Sequence, residues 1–111
     1  MDNLYLRNAN KKDLLFVYQL ANDSESRRNS LNTNKISIDD HEKWFRNILS
    51  SNKASLYILM DSDTAIGQGR LEIINGKCRI SYSIVPESRG RGYGKKLLCL
   101  LLKKMKEDRC V

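Results

Sequence analysis

Gly90, Gly92 and Gly94 fall at every second position of Arg89-Gly90-Arg91-Gly92-Tyr93-Gly94. An apolar alternation ends just before them at Pro86, and a leucine-rich run opens just after them with Lys95-Lys96-Leu97-Leu98. The order reads as strand, glycine-rich loop, helix. Glycines let a ligand approach the main chain, and the first N–H groups of a helix lack intrahelical partners. A helix start of this kind, flanked by Arg89, Arg91, Lys95 and Lys96, suits phosphate or pyrophosphate. The spacing is not the dinucleotide-binding fingerprint, which needs two residues between its second and third glycines. Nor is it a P-loop, because no Gly-Lys-Ser/Thr follows.

The remaining reactive side chains are few. His41 is the sole histidine, and Cys78, Cys99 and Cys110 are odd in number and lack metal-ligand spacing, so reduced thiols and no metal are expected. The chain has 111 residues, 41% hydrophobic and 30% charged, which is one globular domain. No apolar run approaches membrane-spanning length and Met1-Asp2-Asn3 opens no signal peptide, so a cytoplasmic protein is expected. A formal net charge of +7 raises the question of nucleic acid. Much of the excess lies between Arg89 and Arg109, where a polyphosphate site and a solvated helix face (Lys103, Lys104, Lys106) account for it without a nucleic-acid partner.

Leu4–Arg7 reads as a short first strand. Asn10 as N-cap with Asp13 three residues on starts a helix from about Lys11 to Ala21, carrying Leu14, Val17, Tyr18 and Ala21 at helical spacing. Residues 22–35 form a polar connection. Ser37 then caps a second helix, Ile38 to Ser50, with a Trp44, Phe45, Ile48, Leu49 stripe. Leu56–Met60 is a buried-type strand, and Ala65–Ile74 is the next. Asn75-Gly76 signals a two-residue hairpin that pairs Ile74 with Lys77, hence Glu72 with Arg79, Leu71 with Ile80, Gly69 with Tyr82 and Gly67 with Ile84. Leu71, Ile73, Cys78, Ile80, Tyr82 and Ile84 then share one apolar face. Gln68, Arg70, Glu72, Arg79, Ser81 and Ser83 share the polar one. The last helix runs from about Gly92 to Asp108 on a Leu97, Leu98, Leu101, Leu102, Met105 stripe.

Arg89-Gly90-Arg91-Gly92-Tyr93-Gly94 matches Arg/Gln-x-x-Gly-x-Gly/Ala. Placed between a Val-Pro strand end and a Lys-Lys-Leu-Leu helix, it resembles the acetyl-CoA pyrophosphate loop of the GNAT superfamily of N-acyltransferases. The resemblance covers essentially the whole chain and implies an α/β (α+β) fold. It would be the N-terminal part of the GNAT fold, β-α-α-β-β-β-α with a mainly antiparallel sheet, in a single domain spanning residues 1–111. The family fold continues with a splayed fifth strand, a helix and a terminal strand pair. Arg109-Cys110-Val111 looks like the first residues of that fifth strand, and the rest is expected to be missing. Asn22-Asp23, Arg28-Asn29-Ser30, Ile36-Ser37 and His41-Glu42-Lys43-Trp44-Phe45 resemble bacterial GNAT enzymes that acetylate a nucleotide-linked amino sugar. They are similar, less closely, to ribosomal-protein and spermidine acetyltransferases.

The resemblance implies direct attack of a neutral primary amine on the thioester of acetyl-CoA. Ile84 and Val85, with Ser83, would hold the acetyl carbonyl and pantetheine through main-chain N–H groups. Arg89, Gly90, Arg91, Gly92, Tyr93, Gly94 and Lys95 would hold the pyrophosphate. Arg28, Asn29, Ser30 and His41 are the candidate contacts to the small-molecule amine acceptor. Glu72 is the nearest carboxylate to act as base, with an ion pair to Arg79 as its alternative role, and Ser83 is the second candidate catalytic residue. An amine with pKa near 8 is partly neutral at about pH 7 and can lose its proton through water. The competing readings are a CoA-binding but catalytically incomplete module and a small basic nucleic-acid binder. An uncovered fourth-strand edge would favour self-association.

Overall fold

A computed structural model describes residues 3–23 and 36–107. The elements are β1 (Leu4–Asn8), a 3-10 turn (Lys11–Asp13) leading into α1 (Leu14–Ala21), α2 (Ile38–Ser50), β2 (Ala54–Asp61), β3 (Thr64–Ile74), β4 (Lys77–Ile84), a second 3-10 turn (Pro86–Ser88) and α3 (Tyr93–Glu107). The strands form one antiparallel sheet in the order β1-β2-β3-β4. Arg28, Asn29, Ser30 and Cys110 lie outside the described residues.

The Asn75-Gly76 turn adopts the left-handed pair of dihedrals (φ 53° and 77°) that matches the twist of a hairpin. Every cross-strand pair expected from it is present, from Ile74 with Lys77 to Gly67 with Ile84. Successive side chains therefore alternate between two helical layers. On one side Leu97 and Leu101 of α3 pack with Tyr57, Leu59, Leu71 and Ile84. On the other, Val17 of α1 and Phe45 and Ile48 of α2 pack with Leu56, Ile58 and Met60. Helices on both faces explain why β2 is an unbroken apolar run, buried from Leu56 through Met60.

The helix starts follow from their caps. The Asn10 side chain accepts from Lys12 N–H, and Asp13 accepts from Asn10 N–H at 2.8 Å. Arg7 at the end of β1 donates both terminal nitrogens to Asp13, each at 2.8 Å, which ties the first strand to the helix that follows. Ser37 Oγ accepts from Asp40 N–H at α2. One face is only partly covered, and one expectation needs correction. On the apolar hairpin face Leu71 and Ile84 are buried, but Ile73 and Tyr82 are 41% and 45% exposed, because the leucine stripe of α3 settles over β2, β3 and the end of β4. Cys78 is disulfide-bonded, so only Cys99 is a free thiol among the described residues.

Candidate active site

The site begins with the direction of β4's main chain. Val85 N–H donates to Ile66 C=O at 2.9 Å, which points it inward toward β3. Antiparallel strands alternate, so Ser83 points the same way, while Ile80, Tyr82 and Ile84 turn their N–H and C=O to the outer edge. No strand pairs with that edge among the described residues. The expectation that Ser83 to Val85 jointly offer amides is thus narrowed to Ile84. Val85 spends its donor on β3.

Beyond Ile84 the chain makes the Pro86–Ser88 turn and enters the glycine loop. Gly90 and Gly92 both sit at φ +79°, and a Cβ at either would meet nothing within 4 Å. These glycines serve handedness, not space. The first intrahelical bond of α3 runs from Lys96 N–H to Gly92 C=O at 3.4 Å, which leaves Tyr93, Gly94 and Lys95 as the unpaired N–H groups of the helix start. A cleft of about 220 Å³ is lined by Ile84, Arg89, Gly90, Gly92, Tyr93 and Gly94, together with Tyr82, Ser83 and Ser88. It joins the outward amide of Ile84 to the start of α3. Arg91 and Lys95 are exposed beside the loop. Arg89 turns back: its Nε donates to Ile84 C=O at 2.9 Å and its Nη2 to Asp23 Oδ2 at 2.7 Å.

A second cleft, about 510 Å³, lies between α1 and the ends of β3 and β4, lined by Phe16, Gln19, Leu20, Asp23, Ile66, Val85 and Glu87 among others. Ser88 borders both clefts.

The sequence model of the acetyltransferase (GNAT) domain matches residues 3–110. The chain belongs to the GNAT acetyltransferase family. No curated protein sequence matches it. Among solved structures it is similar to the spermidine N-acetyltransferase of Vibrio cholerae in complex with CoA and spermine, at 25% identity and TM-score 0.72, over 86% of this chain and 59% of that one. The aminoglycoside acetyltransferase AAC(6')-Ib in complex with paromomycin and acetyl-CoA shares the fold at 21% identity and TM-score 0.82, over 99% of this chain and 70% of that one. An N-acetyltransferase of Staphylococcus aureus Mu50 shares it at 20% identity and TM-score 0.75, over 97% and 69%.

Within this GNAT chain the catalytic candidates do not all converge. Glu72 sits four strand positions from Gln68, the partner of Ser83, or about 13 Å along β3. That distance takes it away from the Ile84 cleft. Its ion partner is Arg70, two residues away on the same face of β3, and not Arg79, which is exposed. Arg70 is itself held over the Trp44 ring and so stands ready beside Glu72. Ser83 does border the cleft, and its Oγ accepts from Gln68 Nε2 at 3.0 Å. His41 is 1% exposed, packed against Tyr18, Trp44 and Phe45. Sequence reading gave no role to Asp23, although Asn22-Asp23 belongs to the pattern that carried the subgroup resemblance.

Proposed function

We propose that this GNAT chain is an acetyl-CoA-dependent N-acetyltransferase for a primary amine. The observation that supports it best is the single cleft in which the outward N–H of Ile84 and the unpaired N–H groups of α3 face one ligand path. The start of α3 would take the pyrophosphate. The edge of β4 would take the pantetheine arm by strand-like pairing, with Ile84 N–H directed at the thioester carbonyl. A neutral amine then attacks the carbonyl carbon, its C–N bond forms as the C–S bond breaks, the amine proton passes to water and the thiolate is reprotonated. One main-chain donor on the developing oxyanion is worth about 3 kcal/mol. The Ser83 hydroxyl, accepting from Gln68, keeps a proton to donate near that centre. Glu72 has no part in the step.

For the acceptor, a nucleotide-linked amino sugar is the reading that rests on the Arg28-Asn29-Ser30 sequence pattern. His41, expected beside the acceptor, is instead buried among Tyr18, Trp44 and Phe45 and offers it no contact. A polyamine is the second reading. Glu87 puts a carboxylate beside the second cleft, and the similar Vibrio cholerae enzyme is a spermidine N-acetyltransferase. The β4 edge, with which no strand pairs among the described residues, adds self-association to the proposal.

Calorimetric titration with acetyl-CoA tests the first claim, and acetyl transfer to UDP-linked amino sugars against spermidine tests the second. Binding is expected for the wild-type chain and is expected to vanish in Gly92→Glu, which places a carboxylate and a strained φ at the phosphate end. Absence of binding at millimolar acetyl-CoA would sink the proposal.

A further inference from the structure

Arg89 opens the glycine turn and borders the cleft that the turn frames, yet its guanidinium is already engaged by protein partners. It is held by Ile84 C=O at 2.9 Å and by Asp23 Oδ2 at 2.7 Å, a residue 66 positions away in sequence. Both side chains are largely withdrawn from water, at 26% and 17% exposure. Arg91 and Lys95, by contrast, stand exposed. Asp23 has a fixed base of its own. Its N–H donates to Leu20 C=O as α1 ends. The preceding Asn22 brackets Ile36 with two hydrogen bonds, Nδ2 to Ile36 C=O at 3.0 Å and Ile36 N–H to Oδ1 at 2.7 Å. The two ends of the connection between α1 and α2 are thereby closed beneath Asp23.

We infer that Asp23 is a positioning residue for the cofactor, acting through Arg89 to hold the glycine turn in its ligand-ready shape. The inference rests on reading the Ile84 cleft as the acetyl-CoA site. Gly90 and Gly92 have no side chains and open space around them, so nothing at those two positions restrains the turn. The Arg89 side chain supplies the restraint, and Asp23 with Ile84 C=O fixes Arg89. An unrestrained turn would occupy the competent shape for only a fraction of the time, and apparent affinity falls by that fraction. Asp23 also lines the second cleft, so the same ion pair joins the cofactor side to the side where an amine would enter.

Simple electrostatics makes the opposite forecast, which makes the inference decidable. Asp23 is an anion near a polyphosphate site, and neutralising it should tighten CoA binding if charge were all that mattered. As a positioning residue, Asp23→Asn should weaken CoA binding about tenfold, the effect of a competent fraction near 10%. Asp23→Glu should recover most of the loss, and Asp23→Asn should add nothing on an Arg89→Gln background. Titration of the 111-residue chain and its variants with CoA, and amide exchange without ligand at Ser88, Arg89 and Lys96, whose N–H groups donate to the Val85, Pro86 and Gly92 carbonyls, read this out. Exchange in that turn should quicken in Asp23→Asn while β2 is unchanged. Equal or tighter CoA binding by Asp23→Asn, additive losses in the double variant, or unchanged exchange across the turn would each overturn the inference. Failure of the wild type to bind CoA would remove the function reading, and turn exchange would still decide whether Asp23 holds the loop.

Discussion

His41 shows how one side chain sets a pH response. Its ring centroid lies 5.1 Å from Tyr18, 5.4 Å from Trp44 and 5.9 Å from Phe45, and its Nε2 has no hydrogen-bond partner. Burial pushes its pKa below the ordinary 6.5, opposed in part by a hydrogen bond to the Leu14 carbonyl. The folded protein therefore keeps His41 neutral where the unfolded chain takes up a proton. The unfolded state binds more protons as pH drops through 6.5, so His41 removes stability there and removes none at higher pH. The slope cannot exceed one proton, about 1.4 kcal/mol per pH unit. Urea unfolding at about pH 7.5 and about pH 5.5 should show this loss in the wild type, and His41→Phe should flatten it. Asp13 works in a separate window. The Arg7 guanidinium holds its carboxyl below the ordinary 3.8, so that stabilisation is complete above this value and is lost as pH falls through the lower folded pKa.

At the scale of elements, the contact between α3 and the sheet turns on Gly69. A Cβ there would lie 2.7 Å from Leu101 Cδ2 and 2.8 Å from Cδ1, and Leu101 is fully buried. Gly69→Ala should cost about 1–3 kcal/mol by overpacking. Leu101→Ala should cost about 2–5 kcal/mol by leaving a cavity. The new methyl would occupy part of that cavity, so the double variant should lose less than the sum, as measured by denaturant unfolding. Most of this layout was legible in the sequence. The Asn75-Gly76 turn set the register of β3 and β4, and Asn10 and Ser37 set the two helix starts. A two-residue turn makes Ile74 and Lys77 a hydrogen-bonded pair, so parity sends the amides of Ser83 and Val85 inward and that of Ile84 outward. Other features were not legible. Glu72 had two arginines in reach, and the same-strand neighbour Arg70 prevailed over the cross-strand Arg79. The destination of the Arg89 side chain depends on a partner 66 residues distant, which no local pattern encodes.

At the scale of the molecule, the sheet formed by the described residues has one edge at β1 and the other at β4. The outer edge of β4 carries the amides of Ile80, Tyr82 and Ile84, and exposed Tyr82 lies along it. Unpaired amides beside apolar surface favour pairing with a second copy. Sedimentation over a dilution series should reveal reversible association. Ile80→Pro, which removes one outward N–H and spares the ladder to β3, should shift it toward monomer. A clean monomer at high concentration would count against edge pairing. No helix among the described residues is long and apolar enough to cross a membrane.

The turn between β4 and α3 carries a stereochemical consequence. Gly90 and Gly92 occupy a backbone conformation natural to the mirror-image amino acids, in space that a methyl group would not fill. An L-alanine there is opposed by its own chirality, with no neighbour involved. A D-alanine introduced by chemical ligation would fit the same dihedrals and reduce the freedom of the unfolded chain. Within that turn, the fold selects for hand and is indifferent to size.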